Sequence, residues 1–114
     1  MARAALDAKA EELVILDLRK LSYSFDFFFL CNASSERRLE TISDHILEVL
    51  SGEGVKPFHH EGRPEGGWLL LDFRGVVGHV FSSEARAFYA LERLWSDAPR
   101  LKVPVLPAPK KKSR

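Results

Sequence analysis

Three aspartates lie near the ends of apolar segments, where carboxylates can hold metal ions. They are Asp17, Asp26 and Asp72. Clustered carboxylates at strand ends hold the two magnesium ions of phosphoryl- and nucleotidyl-transfer enzymes. Such enzymes also need a glycine–serine turn, or an equivalent, for the triphosphate, and the nearest approach here is the Ser-Tyr-Ser-Phe-Asp stretch at 22–26. We favour hydrogen bonding to local backbone for these aspartates, and we keep a magnesium-dependent nucleotidyltransferase-like enzyme as the alternative.

The four histidines and the single cysteine have spacings that do not suit a metal or catalytic site. His59 and His60 are adjacent, so in a strand they point to opposite faces. His45 falls on a predicted helix with no partner four residues later. Cys31 ends an aromatic segment, which favours packing over nucleophilic attack. The chain also lacks a P-loop and a serine elbow, so we predict a non-enzyme with no cofactor and no metal.

Two large aromatic residues are placed where a binding surface is expected. Trp68 opens a predicted strand directly after a Gly–Gly loop, and Tyr89 lies at the edge of the apolar stripe of the last predicted helix. Glu61, Asp72 and Glu92 flank them in the sequence. Edge aromatics among charges are typical of protein-binding patches. Packing at the rim of a core produces the same pattern, and the residues alone do not separate the two interpretations.

The elements that must position these residues follow an α-β-β-α-β-β-β-α order. Helices are predicted at 3–12, 36–50 and 84–96, and strands at 14–18, 25–31, 55–60, 68–73 and 76–81. This order indicates a single α/β or α+β domain with a mixed sheet flanked by helices. Pro57 predicts an edge strand, residues 61–67 an exposed loop, and Arg74–Gly75 a tight hairpin. The core stripe of the last helix is predicted to be Ala85, Phe88, Leu91 and Trp95.

Charge divides the 114 residues into two parts. Residues 1–97 carry eleven basic and sixteen acidic side chains, a net charge of −5, whereas residues 98–114 carry six basic and no acidic ones. We therefore predict a folded domain at 1–97 and a basic, proline-rich, extended or disordered tail at 98–114. An acidic body is a poor binder of nucleic acid and suits a basic protein partner. No apolar run reaches the ~20 residues of a membrane span, and no apolar leader follows Met1, so we expect a soluble cytoplasmic protein.

Seven short segments occur in an order that is specific when taken together. They are residues 5–12, 14–18, 24–28, 60–62, 67–73, 79–81 and 86–95. The most specific is residues 86–95, Arg-Ala-Phe-Tyr-Ala-Leu-Glu-Arg-Leu-Trp. Over about residues 4–97 the chain resembles the ribosomal silencing factor family, also called Iojap.

The resemblance implies a nucleotidyltransferase-like fold without the catalytic apparatus of that superfamily. It implies a protein, often a homodimer, that binds the large ribosomal subunit at protein L-fourteen. That binding blocks the small subunit and represses translation under nutrient limitation. The contact surface is expected at Trp68, Phe73 and Tyr89. The tail lies outside the resemblance; its lysine run at 110–112 is a candidate for ribosomal RNA contact, and a solubilising disordered terminus explains the run equally well. Where the family pattern has Gly, Asp and Val, this chain has Arg74, Gly75 and Gly78.

Overall fold

A computed structural model describes residues 1–101, which form a six-stranded mixed sheet with helices packed on both faces. The helices are α1 (Ala2–Asp7), α2 (Glu36–Gly52), α3 (Ser83–Tyr89) and α4 (Leu91–Leu94), with a 3-10 turn at Pro64–Gly66. The strands are β1 (Glu11–Asp17), β2 (Phe27–Ala33), β3 (His59–Arg63), β4 (Trp68–Asp72), β5 (Val76–Ser82) and β6 (Arg100–Leu101). The predicted α+β class with a mixed sheet is confirmed, and the nucleotidyltransferase-like label stays a prediction.

One parallel pair lies at the centre of the sheet, whose strand order is β3-β4-β5-β2-β1-β6. β2 and β5 run parallel, with Phe27 opposite Val76 and Ala33 opposite Ser82, and the other neighbours are antiparallel. β3 is an edge strand, as Pro57 predicts. The β4–β5 hairpin turns at Arg74, which has a φ of 69°.

Alternation along the strands divides the buried side chains between two faces of the sheet. One face carries Phe29, Cys31 and Leu71 and is covered by α1 and α2. The opposite face carries Phe28, Leu30, Val77 and Phe81, which pack with Ala85, Leu91, Trp95 and Ala98. Among residues 1–101, no helix is long and apolar enough to cross a membrane.

The two helices that follow the parallel strands, α2 and α3, each begin with a serine N-cap. The Ser35 side chain accepts a hydrogen bond from the Arg38 N–H (3.0 Å), and the Ser82 side chain accepts one from the Ala85 N–H (3.1 Å). Each serine satisfies an amide that the first helical turn leaves without a partner. From these caps α2 packs on one face of the sheet and α3 on the other.

The first helix is shorter than the predicted 3–12. It ends at Asp7 because Lys9 adopts a left-handed φ of 67°, the Ala10 N–H bonds to the Ala5 carbonyl and the Lys9 N–H bonds to the Leu6 carbonyl. These bonds form a Schellman closure, which usually has glycine at the left-handed position. Lysine replaces glycine here, so the sequence lacked the usual stop signal.

The third strand was predicted too early in the chain. Residues 59–63 form β3, and three of these five residues lie in the predicted loop. β3 pairs with β4 from His59 opposite Asp72 to Arg63 opposite Trp68. All five residues of β3 are exposed. An edge strand exposed on both faces has no alternating apolar pattern, so its position was not readable from hydropathy.

The last predicted helix, 84–96, is broken, and its core stripe is partly wrong. Ala90 has a left-handed φ of 47°, which separates α3 from α4. Ala85, Leu91 and Trp95 pack on the sheet as predicted. Phe88, predicted to be buried, is 81% exposed.

Order continues past the predicted domain end at residue 97. Ala98 is buried, the Asp17 N–H donates to the Pro99 carbonyl (2.8 Å), and Arg100–Leu101 pair with β1. The first four residues of the predicted tail are therefore part of the sheet assembly. The rest of the predicted tail, 102–114, lies outside the described residues.

Candidate functional site: an aromatic face on β4 and α3

Trp68, at the start of β4, is the centre of an aromatic cluster. Its ring centroid lies 4.5 Å from Tyr89, 5.1 Å from Phe81 and 5.8 Å from His79. Phe81 and His79 are buried, Trp68 is half-buried, and Tyr89 is 46% exposed. We call Trp68, His79, Phe81 and Tyr89 the aromatic face. In it, two buried rings lie beneath two partly exposed ones.

His79 holds the Trp68 ring in place by a specific hydrogen bond. The Trp68 Nε1–H donates to His79 Nδ1 at 3.1 Å. Burial lowers the pKa of His79 to about 4, so at neutral pH the imidazole is uncharged and Nδ1 is free to accept. Its proton then lies on Nε2, which is buried and has no hydrogen-bond partner within residues 1–101. The fixed imidazole orients Trp68 before any partner arrives.

The break after α3 determines how much of Tyr89 is exposed. Tyr89 is the last residue of α3, and the left-handed Ala90 redirects the chain into α4. Leu91 and Trp95 then pack on the sheet, while Phe88 and Tyr89 stay at the surface with their rings edge to face at 5.1 Å. An aromatic pair beside Trp68 is thereby presented to solvent.

A largely buried arginine anchors α3, and its role was not predicted from the sequence. The Arg86 side chain is 10% exposed; its Nε donates to Glu92 Oε1 (2.8 Å), and its Nη1 donates to Asn32 Oδ1 (3.0 Å) and to the Glu12 carbonyl. Asn32 in turn donates to the Glu12 carboxylate at 2.8 Å. Arg86 therefore joins α3 to α4, β1 and β2. Arg86 lies in the specific 86–95 segment, but nothing in that segment distinguishes a buried arginine from a surface one.

Glu92 has an internal role in the same network. The hydrogen bond from Arg86 lowers the pKa of Glu92, and Arg100 of β6 lies 3.6 Å from the other carboxylate oxygen. The Glu92 charge is thus neutralised by two arginines rather than left free beside Trp68.

Glu61 lies in the middle of β3, opposite Leu70, whereas Asp72 is the last residue of β4. Glu61 is exposed on β3, contacts His59 Nε2 at 3.4 Å, and lines a pocket of about 240 Å³ with Gly62, Trp68 and Leu70. Asp72 ends β4, where its carboxylate accepts the Arg74 N–H at 2.8 Å. The structure therefore brings Glu61, but not Asp72, next to Trp68.

Phe73 lies on the other face of the sheet from Trp68. It packs with the core under α1 and α2, whereas Trp68 packs with the core under α3. The two positions are an odd number of residues apart, so strand alternation separates their side chains. The structure does not bring Phe73 together with Trp68 and Tyr89.

The three aspartates that suggested metal chemistry each have a local partner or neighbour. Asp17 forms a hydrogen-bonded ion pair with Arg19 at 2.8 Å, which lowers the pKa of Asp17 to about 2. Asp72 caps its turn, and Asp26 lies against Gly75, where an added Cβ would be 2.5 Å from the carboxylate. In the part of the chain that the structure describes, no three His, Cys, Asp or Glu side chains are grouped to hold a metal ion.

Cys31 is enclosed in the core under α1 and α2. It is fully buried on β2, and burial raises the pKa of its thiol to about 12. The thiol therefore stays protonated at neutral pH, which agrees with the predicted packing role.

The chain has clear relatives. The family described as "Ribosomal silencing factor during starvation" matches residues 1–114. The chain is 37% identical to ribosomal silencing factor RsfS of Halalkalibacterium halodurans, over 85% of this chain and 83% of the relative. It is 36% identical to RsfS of Bacillus subtilis, over 86% and 83%. It is also 33% identical to the chloroplastic protein Iojap of Zea mays, over 91% of this chain and 45% of that longer protein.

Solved structures agree with the fold. A crystal structure of a Bacillus halodurans protein matches with a TM-score of 0.76 at 35% identity, covering 88% of this chain and 90% of that chain. An X-ray structure of a Chromobacterium violaceum protein matches with a TM-score of 0.79 at 28% identity, covering 93% and 88%. Sequence and architecture agree along nearly the whole chain, and the chain therefore belongs to the ribosomal silencing factor family.

Proposed function

We propose that the chain binds the large ribosomal subunit at its protein L-fourteen through the aromatic face, and that it sterically blocks the small subunit. Translation is thereby repressed under nutrient limitation. The observation that carries the proposal is the Trp68–Tyr89 pair, with ring centroids 4.5 Å apart, half-exposed and supported from beneath by His79 and Phe81. Membership of the silencing factor family supplies the class of partner.

Rigidity makes this face suitable for binding. Large aromatics at the centre of an interface supply most of its binding free energy. A ring that is already oriented loses little conformational entropy when a partner covers it. The hydrogen bond to His79 orients Trp68, and the Arg86 network fixes the helix that carries Tyr89.

Of the residues that the sequence suggested, three lie in one region, and we propose Trp68, Tyr89 and Glu61 as contact residues. Asp72, Glu92 and Phe73 have the structural roles described above. The acidic body suits a basic ribosomal protein, because complementary charge speeds association. A cytoplasmic location, a homodimer and a contact of the basic tail with ribosomal RNA belong to the same proposal.

Steric blocking requires no bond chemistry, so one physical assay tests the proposal. The full chain is sedimented on sucrose gradients with purified large subunits, with small subunits, and with both. We expect co-sedimentation with the large subunit alone and a lower yield of joined ribosomes. Equal binding to the small subunit would overturn the proposal.

The competing enzyme hypothesis has its own assay. Magnesium-dependent release of pyrophosphate from nucleoside triphosphates is measured with the same preparation. We expect no release above a protein-free blank. Release that disappears in Asp26→Asn would favour the transferase over the blocker.

A further inference from the structure

A groove of about 660 Å³ opens beside the aromatic face, at the end of the sheet where β2 and β5 finish. Its lining includes Ser34 and Ser35 before α2, the Pro64–Gly67 turn, the start of α3, and Phe88 and Tyr89. Gly67 lets the turn approach α3, since a Cβ there would lie 2.7 Å from Ser82 Oγ. The Ser82 N–H also donates to the Gly67 carbonyl at 2.9 Å, so the walls are connected.

The position of this groove is one at which ligands commonly bind. β2 and β5 are adjacent parallel strands, and the helices that follow them leave to opposite faces of the sheet. Crevices outside the carboxyl ends of such strands are the usual ligand sites of open α/β sheets. The topology therefore indicates a binding place but not the chemistry of the ligand.

The charges indicate a cationic ligand. Glu36, Glu65 and Glu84 line the groove, and none of the lining residues within 1–101 is Lys, Arg or His. None of the three carboxylates has an ion-pair partner within residues 1–101. The three carboxylates give the described lining of the groove a net negative charge, so it attracts positive charge.

One wall of the groove is aromatic and uncovered. Phe88 is 81% exposed although it lies on a helix that packs against the sheet, and Tyr89 lies beside it. A guanidinium or ammonium group gains energy over an aromatic ring, and its aliphatic stem packs on the same surface. Tyr89 also belongs to the aromatic face, so the groove and that face form one continuous surface.

We propose that the groove receives an arginine- or lysine-bearing segment of the ribosomal protein that covers the aromatic face. The cationic head lies among Glu36, Glu65 and Glu84, and the stem packs on Phe88 and Tyr89. That the partner is a ribosomal protein rests on the proposed function. That the bound segment is positively charged rests on the residues that line the groove.

The probe is a short capped peptide with two arginines and one leucine, and the matched peptide has citrulline in place of both arginines. Each is titrated into the isotope-labelled full chain and followed by amide chemical shifts. We expect saturable shifts at Ser35, Gly66 and Ser83 with the arginine peptide and none with the citrulline peptide. Shifts with both peptides, or shifts confined to another surface, would overturn the proposal.

A pair of charge-matched variants separates the groove from general electrostatics. Glu65→Gln/Glu84→Gln removes two groove charges, and Glu40→Gln/Glu48→Gln removes two exposed charges of α2 that do not line the groove. We expect the first variant to weaken peptide binding about fivefold or more and the second to leave it unchanged. Glu84 lies in the first turn of α3, so its replacement can destabilise that helix. The thermal unfolding midpoint of each variant shows whether a loss of peptide affinity comes from such destabilisation. Equal weakening by both variants would contradict the proposal.

Sedimentation with large subunits distinguishes failure of this inference from failure of the proposed function. The groove variant should bind the subunit less than the control variant does. If the parent binds the subunit and the groove variant binds equally well, the groove is not the partner site, and the proposed function stands. If no variant sediments with the subunit but the arginine peptide binds, the ribosomal assignment fails.

The basic tail is the competing occupant. The variant Lys110→Gln/Lys111→Gln/Lys112→Gln removes its lysine run. Tighter binding of the arginine peptide by this variant would show that the tail fills the groove in the parent and would overturn the assignment to a partner. Unchanged binding supports it.

Discussion

The two ends of the sheet carry the two sets of residues that suggested chemistry, and they differ in how those residues are used. At one end Trp68, Phe81 and Tyr89 come from β4, β5 and α3 and meet in one cluster. At the other end Asp17 and Asp72 bond within two residues of their own positions. At the aromatic end, residues distant in the sequence pack together into one surface. At the other end, each aspartate is hydrogen-bonded within its own turn, and the carboxylates do not form a common site. A functional surface is therefore expected at the aromatic end.

The largest expected effect comes from removing the support of the aromatic end. Arg86→Ala removes the hydrogen bonds to Asn32 and Glu92. Glu92 keeps Arg100 at 3.6 Å and is partly exposed, so the cost is that of lost hydrogen bonds to a charged group, about 2 to 3 kcal/mol. We expect a loss of that size in the free energy of unfolding, measured by urea titration. Arg93→Ala, at an exposed position of α4, is the control and should change little. A loss below about 1 kcal/mol for Arg86→Ala would show that α3 is held mainly by apolar packing.

The next effect concerns binding rather than folding. Tyr89→Ala removes an exposed ring from the aromatic face, and central aromatics of an interface contribute about 2 kcal/mol. We expect affinity for the large subunit to fall about thirtyfold while the unfolding midpoint stays near that of the parent. Tyr23→Ala is a matched control, because Tyr23 is fully exposed in the β1–β2 connection. If Tyr89→Ala and Tyr23→Ala lose affinity for the large subunit equally, the aromatic end is not the contact surface.

The buried imidazole predicts a pH dependence of stability. The pKa of His79 falls from 6.5 in the unfolded chain to about 4 in the folded protein, because burial disfavours the charged form. The unfolded state therefore binds more protons below pH 6.5, and stability is full above pH 6.5 and falls as the pH drops towards 4. Between pH 7 and pH 5 we expect a loss of about 2 kcal/mol in urea unfolding.

The comparison with a variant assigns this loss to one residue. His79→Gln should reduce the difference between pH 7 and pH 5 to a small remainder. The depressed pKa values of Asp17 and Glu92 act mainly below pH 5, so they contribute little in this window. A parent whose stability is flat from pH 7 to pH 5 would contradict the neutral, buried His79.

Helices and strands were predicted correctly from the sequence where their apolar residues are periodic or where a local cap or turn marks their ends. The stripe of Leu39, Ile42 and Ile46 predicted α2, and the Ser35 cap marked its start. The apolar segments at 68–73 and 76–81, with a turn signal between them, predicted β4 and β5. The family resemblance pointed to Trp68, Phe73 and Tyr89. The structure brings Trp68 and Tyr89 together and places Phe73 on the other face of the sheet.

What could not be predicted depends on packing between distant segments. Ala90 and Lys9 adopt a left-handed backbone conformation, which alanine and lysine rarely adopt. The end of α1 and the break after α3 therefore could not be predicted from the residue types. The exposure of Phe88 follows from that break. Arg86 acquires its role only when Asn32, some fifty residues earlier in the chain, lies beside it.

The smallest expected effect tests whether the functional surface extends along β4 to its far end. Asp72 follows Trp68 by four residues, about 13 Å along a strand, and its carboxylate accepts the Arg74 N–H. Asparagine offers a carbonyl oxygen to the same N–H, so Asp72→Asn should keep the turn and change the free energy of unfolding by less than about 1 kcal/mol. Affinity for the large subunit should stay within about twofold of the parent, because a single rim charge affects association only weakly. If Asp72→Asn weakens sedimentation with the subunit as much as Tyr89→Ala does, the contact surface runs the full length of β4, and the carboxylate at the far end binds a partner as well as its own turn.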